Sequence, residues 1–193
     1  ITVFGNQLVS QQEIRAKIPL SNGISYFQFD PEIAEKLLLQ SLPELKQVEV
    51  KKIFPDQIRV EVQEYPVVAY FQQSDAKLLP ILANGRTLPS RVMSQWTSKK
   101  PRFVGWRLDS PQYQTAVQRF VQLSSQIQQE MITLEPIKEH RDQILLTSKA
   151  RHKIRVRILD MPEKMKLYPS FIHYQPGTFY LLDSIWYSPD KNS

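Results

Sequence analysis

Cysteine is absent from the 193 residues, which excludes disulfides, thiolate metal sites and a cysteine nucleophile together. Glycine occurs only five times, scattered along the chain. That scarcity leaves no room for a phosphate-cradling loop, a dinucleotide fingerprint or a Gly-x-Ser-x-Gly nucleophile elbow. The three histidines, His140, His152 and His173, lie in separate segments without the spacing that puts two ligands on one helix face. They read as surface or turn residues, and His152, set in a basic run, makes a poor cation ligand. Acidic pairs such as Asp109 with Glu130, or Glu135 with Glu139, fall on helix ends and loops, where carboxylates are solvated, so no hydrolase dyad is expected. Long apolar runs are missing too. Tyr65 to Phe71 and Phe179 to Leu182 fall far short of the ~20 residues that cross a bilayer. No catalytic residue, metal site, cofactor or small-molecule substrate is expected.

What is present suits ordinary globular cores: 41% of residues are hydrophobic, enough for one large domain or two small ones. The formal charge of +6 favours anionic neighbours without choosing among them. The first third is the most densely signalled. Ile1 to Phe4 is a short β-type opening broken by Gly5-Asn6. Ser10 and Glu13 then stand at the positions of a capping box, and Val9 and Ile14 at those of a hydrophobic staple. Asp30-Pro31 opens a second helix, in which Ile33, Ala34, Leu37 and Leu38 form a stripe expected to be buried. Two alternating runs, Val48 to Ile53 and Ile58 to Val62, flank Phe54-Pro55-Asp56-Gln57 and predict a hairpin.

This β-α-α-β-β order resembles a POTRA domain, and in particular that of the bacterial division proteins FtsQ and DivIB. Gly5-Asn6, Leu42-Pro43, Phe54-Pro55 and Glu64-Tyr65-Pro66-Val67-Val68-Ala69 carry the likeness. The resemblance implies a binding module of a membrane-anchored protein. The chain opens at Ile1 without Met or an apolar leader, so any targeting segment is expected to have been cut away or to lie upstream, and the resemblance implies that this stretch is a soluble, excised ectodomain.

A boundary is expected at the polar Gln72-Gln73-Ser74-Asp75, giving domains 1–72 and 73–193. Beyond it, Leu78 to Leu82 and Arg86 to Leu88 flank Asn84-Gly85, a strong type I′ hairpin signal. Arg91 to Arg102 reads as a loop and Phe103 to Trp106 as a brief strand. A helix from Pro111 places Tyr113, Val117, Phe120, Ile127 and Met131 on one face, interrupted by Ser124. Strands follow at Gln143–Thr147 and Lys153–Leu159, then a short helix at Pro162–Leu167. The expected fold is α+β: a POTRA domain followed by an antiparallel sheet with a packed helix, similar to the β domain of FtsQ and DivIB.

Two surfaces stand out. In the second strand Ile154, Val156 and Ile158 alternate with Lys153, Arg155 and Arg157, which predicts a wet basic face. Such a face is a solvated surface that also blunts edge-to-edge aggregation, a contact for an anionic membrane or wall polymer, or a contact for a protein partner. It lacks the interleaved aromatics that nucleic acid would want. The aromatic segment Phe179 to Tyr187 is apolar on both faces, as a fully covered strand or a sheet edge awaiting a partner would be. The family resemblance favours the edge, because in FtsQ and DivIB the last strands receive the extracellular segments of FtsB (DivIC) and FtsL. By that resemblance Trp186 and Tyr187 are the aromatic anchors, with Tyr180, Leu182 and Ser184 along the strand. The implied role is a non-catalytic divisome scaffold at the septal membrane, single-pass, with this fragment on the extracytoplasmic side. The alternative is a transport or assembly factor that takes peptides at the POTRA hairpin edge.

Overall fold

The computed structural model describes residues 1–20, 26–93 and 99–190, and the chain divides into two compact units, Ile1–Pro66 and Val67–Ser193. In the first, β1 (Thr2–Phe4), α1 (Gln11–Lys17), α2 (Pro31–Ser41), β2 (Leu45–Ile53) and β3 (Gln57–Glu64) follow in that order. They build a three-stranded sheet of order β1-β3-β2, with β1 parallel and β2 antiparallel to β3. Both halves of the capping box form at Ser10 and Glu13. Val9 and Ile14 are fully buried, as a staple requires. Asp30 caps α2 through the Glu32 and Ile33 amides. The buried stripe of α2 is narrower than its spacing predicts. Ala34 and Leu38 are enclosed, whereas Ile33 is 51% exposed, because a helix laid against one sheet buries only its innermost positions.

The closing strand of this unit pins its opening turn. The Glu64 carboxylate accepts from the amides of Gln7 (3.0 Å), Leu8 (2.7 Å) and Val9 (3.0 Å). Gly5 turns at φ +85°, with the Val62 carbonyl where a Cβ would sit, so no larger residue fits there.

In the second unit β4 (Val67–Ser74), β5 (Lys77–Leu82), β6 (Arg102–Phe103), α3 (Pro111–Phe120), α4 (Ser125–Glu130), β7 (Met131–Pro136), β8 (Gln143–Ser148) and β9 (Lys153–Arg157) lead to α5 (Met161–Lys164) and a 3-10 segment, Met165–Phe171. Two strands close the chain, β10 (Gly177–Leu181) and β11 (Ile185–Pro189). The eight strands form one sheet of order β11-β10-β9-β8-β7-β6-β4-β5. It is mixed rather than antiparallel throughout: β4/β6, β6/β7 and β9/β10 are parallel. Parallel neighbours need crossovers, and α3 with α4 supplies one and α5 with the 3-10 segment another.

The division falls at Pro66–Val67, ahead of the polar stretch at 72–75, because Val67 to Ser74 is a strand paired with β5. A turn forms at Asn84-Gly85 with Gly85 at φ +81°, but Asn84 is not at positive φ, so it is not the type I′ turn expected, and it adds the Ile81–Thr87 bridge beside the longer β4–β5 pairing. The single helix expected from Pro111 to Met131 is two. Ser124 caps α4 by accepting from the Ile127 amide, and Met131 already belongs to β7. Strand pairing at Phe103 to Trp106 stops after Phe103, while Trp106 is buried with its indole donating to the Leu134 carbonyl at 2.9 Å. Part of the expected loop at 91–102 lies outside the described residues. The core packs Phe103 edge-on to Tyr113 and Phe120. Burial pushes the Tyr113 hydroxyl well above its ordinary pKa, with a 2.6 Å hydrogen bond to Thr87 opposing it.

Candidate functional site

The aromatic segment expected as one strand is a hairpin. Gly177 to Leu181 pairs with Ile185 to Pro189, Phe179 opposite Tyr187 and Tyr180 opposite Trp186, and 182–184 make the turn. Strand alternation therefore sorts the five predicted anchor residues. Tyr180 and Trp186 project to one side and stack with centroids 3.7 Å apart and planes 3° from parallel. Tyr187 projects to the other, against Phe179 (4.7 Å) and Tyr174 (5.5 Å), and its hydroxyl donates to the Gln175 carbonyl at 2.8 Å. Tyr187, partly buried, thus packs against the core on the side of the sheet away from Trp186. Leu182 and Ser184 sit in the turn. Gly177 lets Tyr187 cross it: a Cβ there would stand 2.6 Å from the ring and 2.5 Å from the Ser188 carbonyl.

β11 ends the sheet, and among the described residues no strand covers its outer side. The Asp190 amide donates to the Pro176 carbonyl, so by alternation the backbone of Trp186 and Ser188 also faces β10. The amides of Ile185 and Tyr187, and the carbonyls of both and of Pro189, then line the free edge. Trp186, 50% exposed, stands beside it.

The basic face adjoins this edge. Lys153 lies opposite Thr178 and Arg155 opposite Tyr180, so Arg155, Tyr180 and Trp186 form one row across three strands. β9 is an inner strand, which removes the reading of its charges as protection of a sheet edge. Much of its charge is also engaged. Arg157 forks onto Asp183 at 2.6 and 2.8 Å and reaches Asp142 at 3.3 Å. Arg155 donates to Gln143 Oε1 at 2.5 Å, and of the three basic residues Lys153 alone is exposed. The Arg157 hydrogen bonds and charge hold the Asp183 carboxyl below the usual carboxylate range. The pair anchors the β10–β11 turn to β9.

His152 is the residue most misread from sequence. It is completely buried, not a surface turn residue. Nε2 faces the carbonyls of Tyr174 (2.9 Å) and Gln175 (3.1 Å), and Nδ1 meets the Tyr168 hydroxyl at 2.9 Å. That hydroxyl in turn donates to Ser148 Oγ at 2.7 Å. Carbonyls only accept, so Nε2 carries a proton. The ring ties β9 to the 3-10 segment and to the stretch that leads into β10. The flanking Arg151, at φ +62°, makes the turn that aims it inward.

A cavity of about 290 Å³ lies at one end of the sheet, lined by Gln112, Thr115, Arg141, Asp142, Arg157, Ile158 and Leu159. Its one carboxylate, Asp142, is bound to Arg157. No group of three or more metal-ligating side chains occurs among the described residues, and none of the helices described is long and apolar enough to cross a membrane.

Residues 1–65 match the family model of the POTRA domain, FtsQ-type. Cell division protein DivIB of Bacillus cytotoxicus is 26% identical over 186 residues, covering 95% of this chain and 71% of that protein. DivIB of Bacillus subtilis is 29% identical over 175 residues, 89% of this chain and 65% of that protein. Among solved structures, the major extracytoplasmic domain of DivIB from Geobacillus stearothermophilus aligns with a TM-score of 0.48 at 22% identity, over 56% of this chain and 91% of that one.

Proposed function

The chain belongs to the FtsQ/DivIB family of bacterial cell division proteins, and from that premise we propose that it links other division proteins at the septum by accepting a strand along β11. The observation that carries this reading is the uncovered outer side of β11, with Trp186 half-exposed beside it. An added strand would bond to the outward backbone groups of Ile185, Tyr187 and Pro189, and its side chains would cover the outer face of the Trp186–Tyr180 stack. Leu182 and Ser184, in the turn, would meet the end of that strand. Tyr187 would contribute by holding β11 in register. No bond is made or broken in this role. The partners are the extracellular segments of FtsB (DivIC) and FtsL type proteins. The chain would act outside the cytoplasm, held by a single upstream membrane span.

An anionic polymer or membrane at Lys153, Arg155 and Arg157 is the weaker part of the reading, because Arg157 already binds two carboxylates. The transport-factor alternative needs the edge of β2 to receive a peptide. There the Glu35 carboxylate already takes the Val50 amide, at 2.8 Å.

The test is an NMR titration of the labelled chain with the extracellular DivIC and FtsL segments. Shifts concentrated on 177–189 are expected. Shifts confined to 45–64, or none at millimolar peptide, would sink the proposal.

A further inference from the structure

Among the large apolar side chains described, Phe54 and Phe27 are the most exposed, at 83% and 81%. Phe54 lies in the turn of the β2–β3 hairpin, after Ile53, itself 39% exposed. Phe27 lies in the turn ahead of α2, and Lys52 ties the two places together. Its ammonium donates to the Phe27 carbonyl at 3.3 Å and stands 5.5 Å from the centroid of the Tyr26 ring. That ring meets Phe27 edge-on. Neither Ile53 nor Phe54 belongs to the unit's core. β1 is parallel to β3 with Thr2 opposite Arg59, so Ile1 also lies at the hairpin end.

We propose that the hairpin end of the POTRA unit docks on the phospholipid bilayer, with Phe54, Ile53 and Phe27 entering the layer between headgroups and acyl chains. Lys52 then sits at the level of the lipid phosphates, its stem along the apolar part and its ammonium in water. Exposed rings, a tyrosine and a lysine gathered at one end make the composition of an interfacial segment. The inference rests on the upstream membrane anchor proposed above, because a chain arriving from such an anchor enters the unit through Ile1, at this same end. A tether of that kind also makes a weak affinity sufficient. Local charge is close to balanced. Lys51 pairs with Glu49 at 2.7 Å, Arg59 pairs with Glu61 at 2.8 Å, Asp30 is used as a helix cap, and exposed Asp56 in the hairpin turn offsets Lys52. Apolar transfer therefore carries the contact, and salt should change it little.

The experiment holds the chain by an N-terminal polyhistidine tag on nickel-chelating lipid in phosphatidylethanolamine/phosphatidylglycerol nanodiscs doped with doxyl lipid, and reads amide broadening by NMR. Broadening centred on 26–29 and 52–57 is expected, retained at high salt. It should be roughly tenfold weaker in the Phe27→Ser/Phe54→Ser double variant, whose thermal midpoint stays at that of the parent because both rings already face water. Broadening centred on Lys153 and Arg155 and abolished by salt, or equal broadening in parent and double variant, overturns the proposal. A C-terminal tether is the second arm. Broadening of the same residues there shows an affinity of the end itself, and its disappearance leaves mere proximity and overturns the proposal. Fractionation of the full-length protein with membranes reads the anchor separately, so either idea can fail alone.

Discussion

Trp186 and Tyr187 are adjacent in the chain and face opposite sides of the sheet, so their replacement should separate binding from stability. Tyr187→Ala removes a ring packed on Phe179 and Tyr174 and should cost about 2–4 kcal/mol in chemical denaturation. Trp186→Ala removes a half-exposed ring that touches Tyr180, should cost no more than about 1 kcal/mol, and should weaken the partner segments markedly. Equal stability losses would place both in the core. The Arg157–Asp183 pair makes a second prediction, about pH. Arg157 holds the Asp183 carboxyl below its ordinary value of 3.8, so the native state favours the ionised form. That stabilisation is complete above the ordinary value and is lost as pH falls through the lowered one. Asp183→Asn should therefore lower the thermal midpoint near neutral pH, and the difference from the parent should close at strongly acid pH. A difference that persists there would mean the pair acts through packing.

At the level of elements, the joints of both units depend on single residues. Glu64 ends β3 and takes three amides of the turn before α1. Glu64→Gln keeps the shape but offers one neutral oxygen in place of a carboxylate, and should destabilise residues 1–66 by about 1–3 kcal/mol. Hydrogen exchange at Leu8 and Val9 reads this directly, and unchanged protection would refute it. The Glu-Tyr-Pro motif was visible in the sequence as a family mark. Its physical role was not, because Glu64 and the amides it serves lie 55 to 57 residues apart. The same distance problem hid β7 and the break between α3 and α4. An i, i+4 apolar pattern continues across Ser124, and only the cap formed there, with the next residues drawn into the sheet, separates helix from helix and helix from strand.

At the level of the molecule, two separate cores predict two separately folding pieces. One gathers Val9, Ile14, Ala34, Leu38 and Val60, and the other gathers Phe71, Phe103, Tyr113, Phe120 and Phe179. Residues 67–193 alone should give a dispersed NMR spectrum and keep the partner affinity of the whole chain, and residues 1–66 should fold without binding the partner segments. Loss of binding by the 67–193 piece would require the first unit in the site. The local choices in this protein were readable from neighbouring residues: the capping box at Ser10, the Asp30-Pro31 helix start, the 53–57 hairpin, the Asn84-Gly85 turn and the alternation of β9. Each depends on side chains within a few positions of the backbone group they serve. Strand neighbours, by contrast, came from the tertiary fold. The crossovers set β9 inside the sheet and β11 at its end, and so turned a basic strand into a partly neutralised inner row, sent His152 into the core, and left Trp186 in solvent while burying part of Tyr187. Burial and partner choice across a sheet depend on which distant segment lies alongside, and no local spacing carries that information.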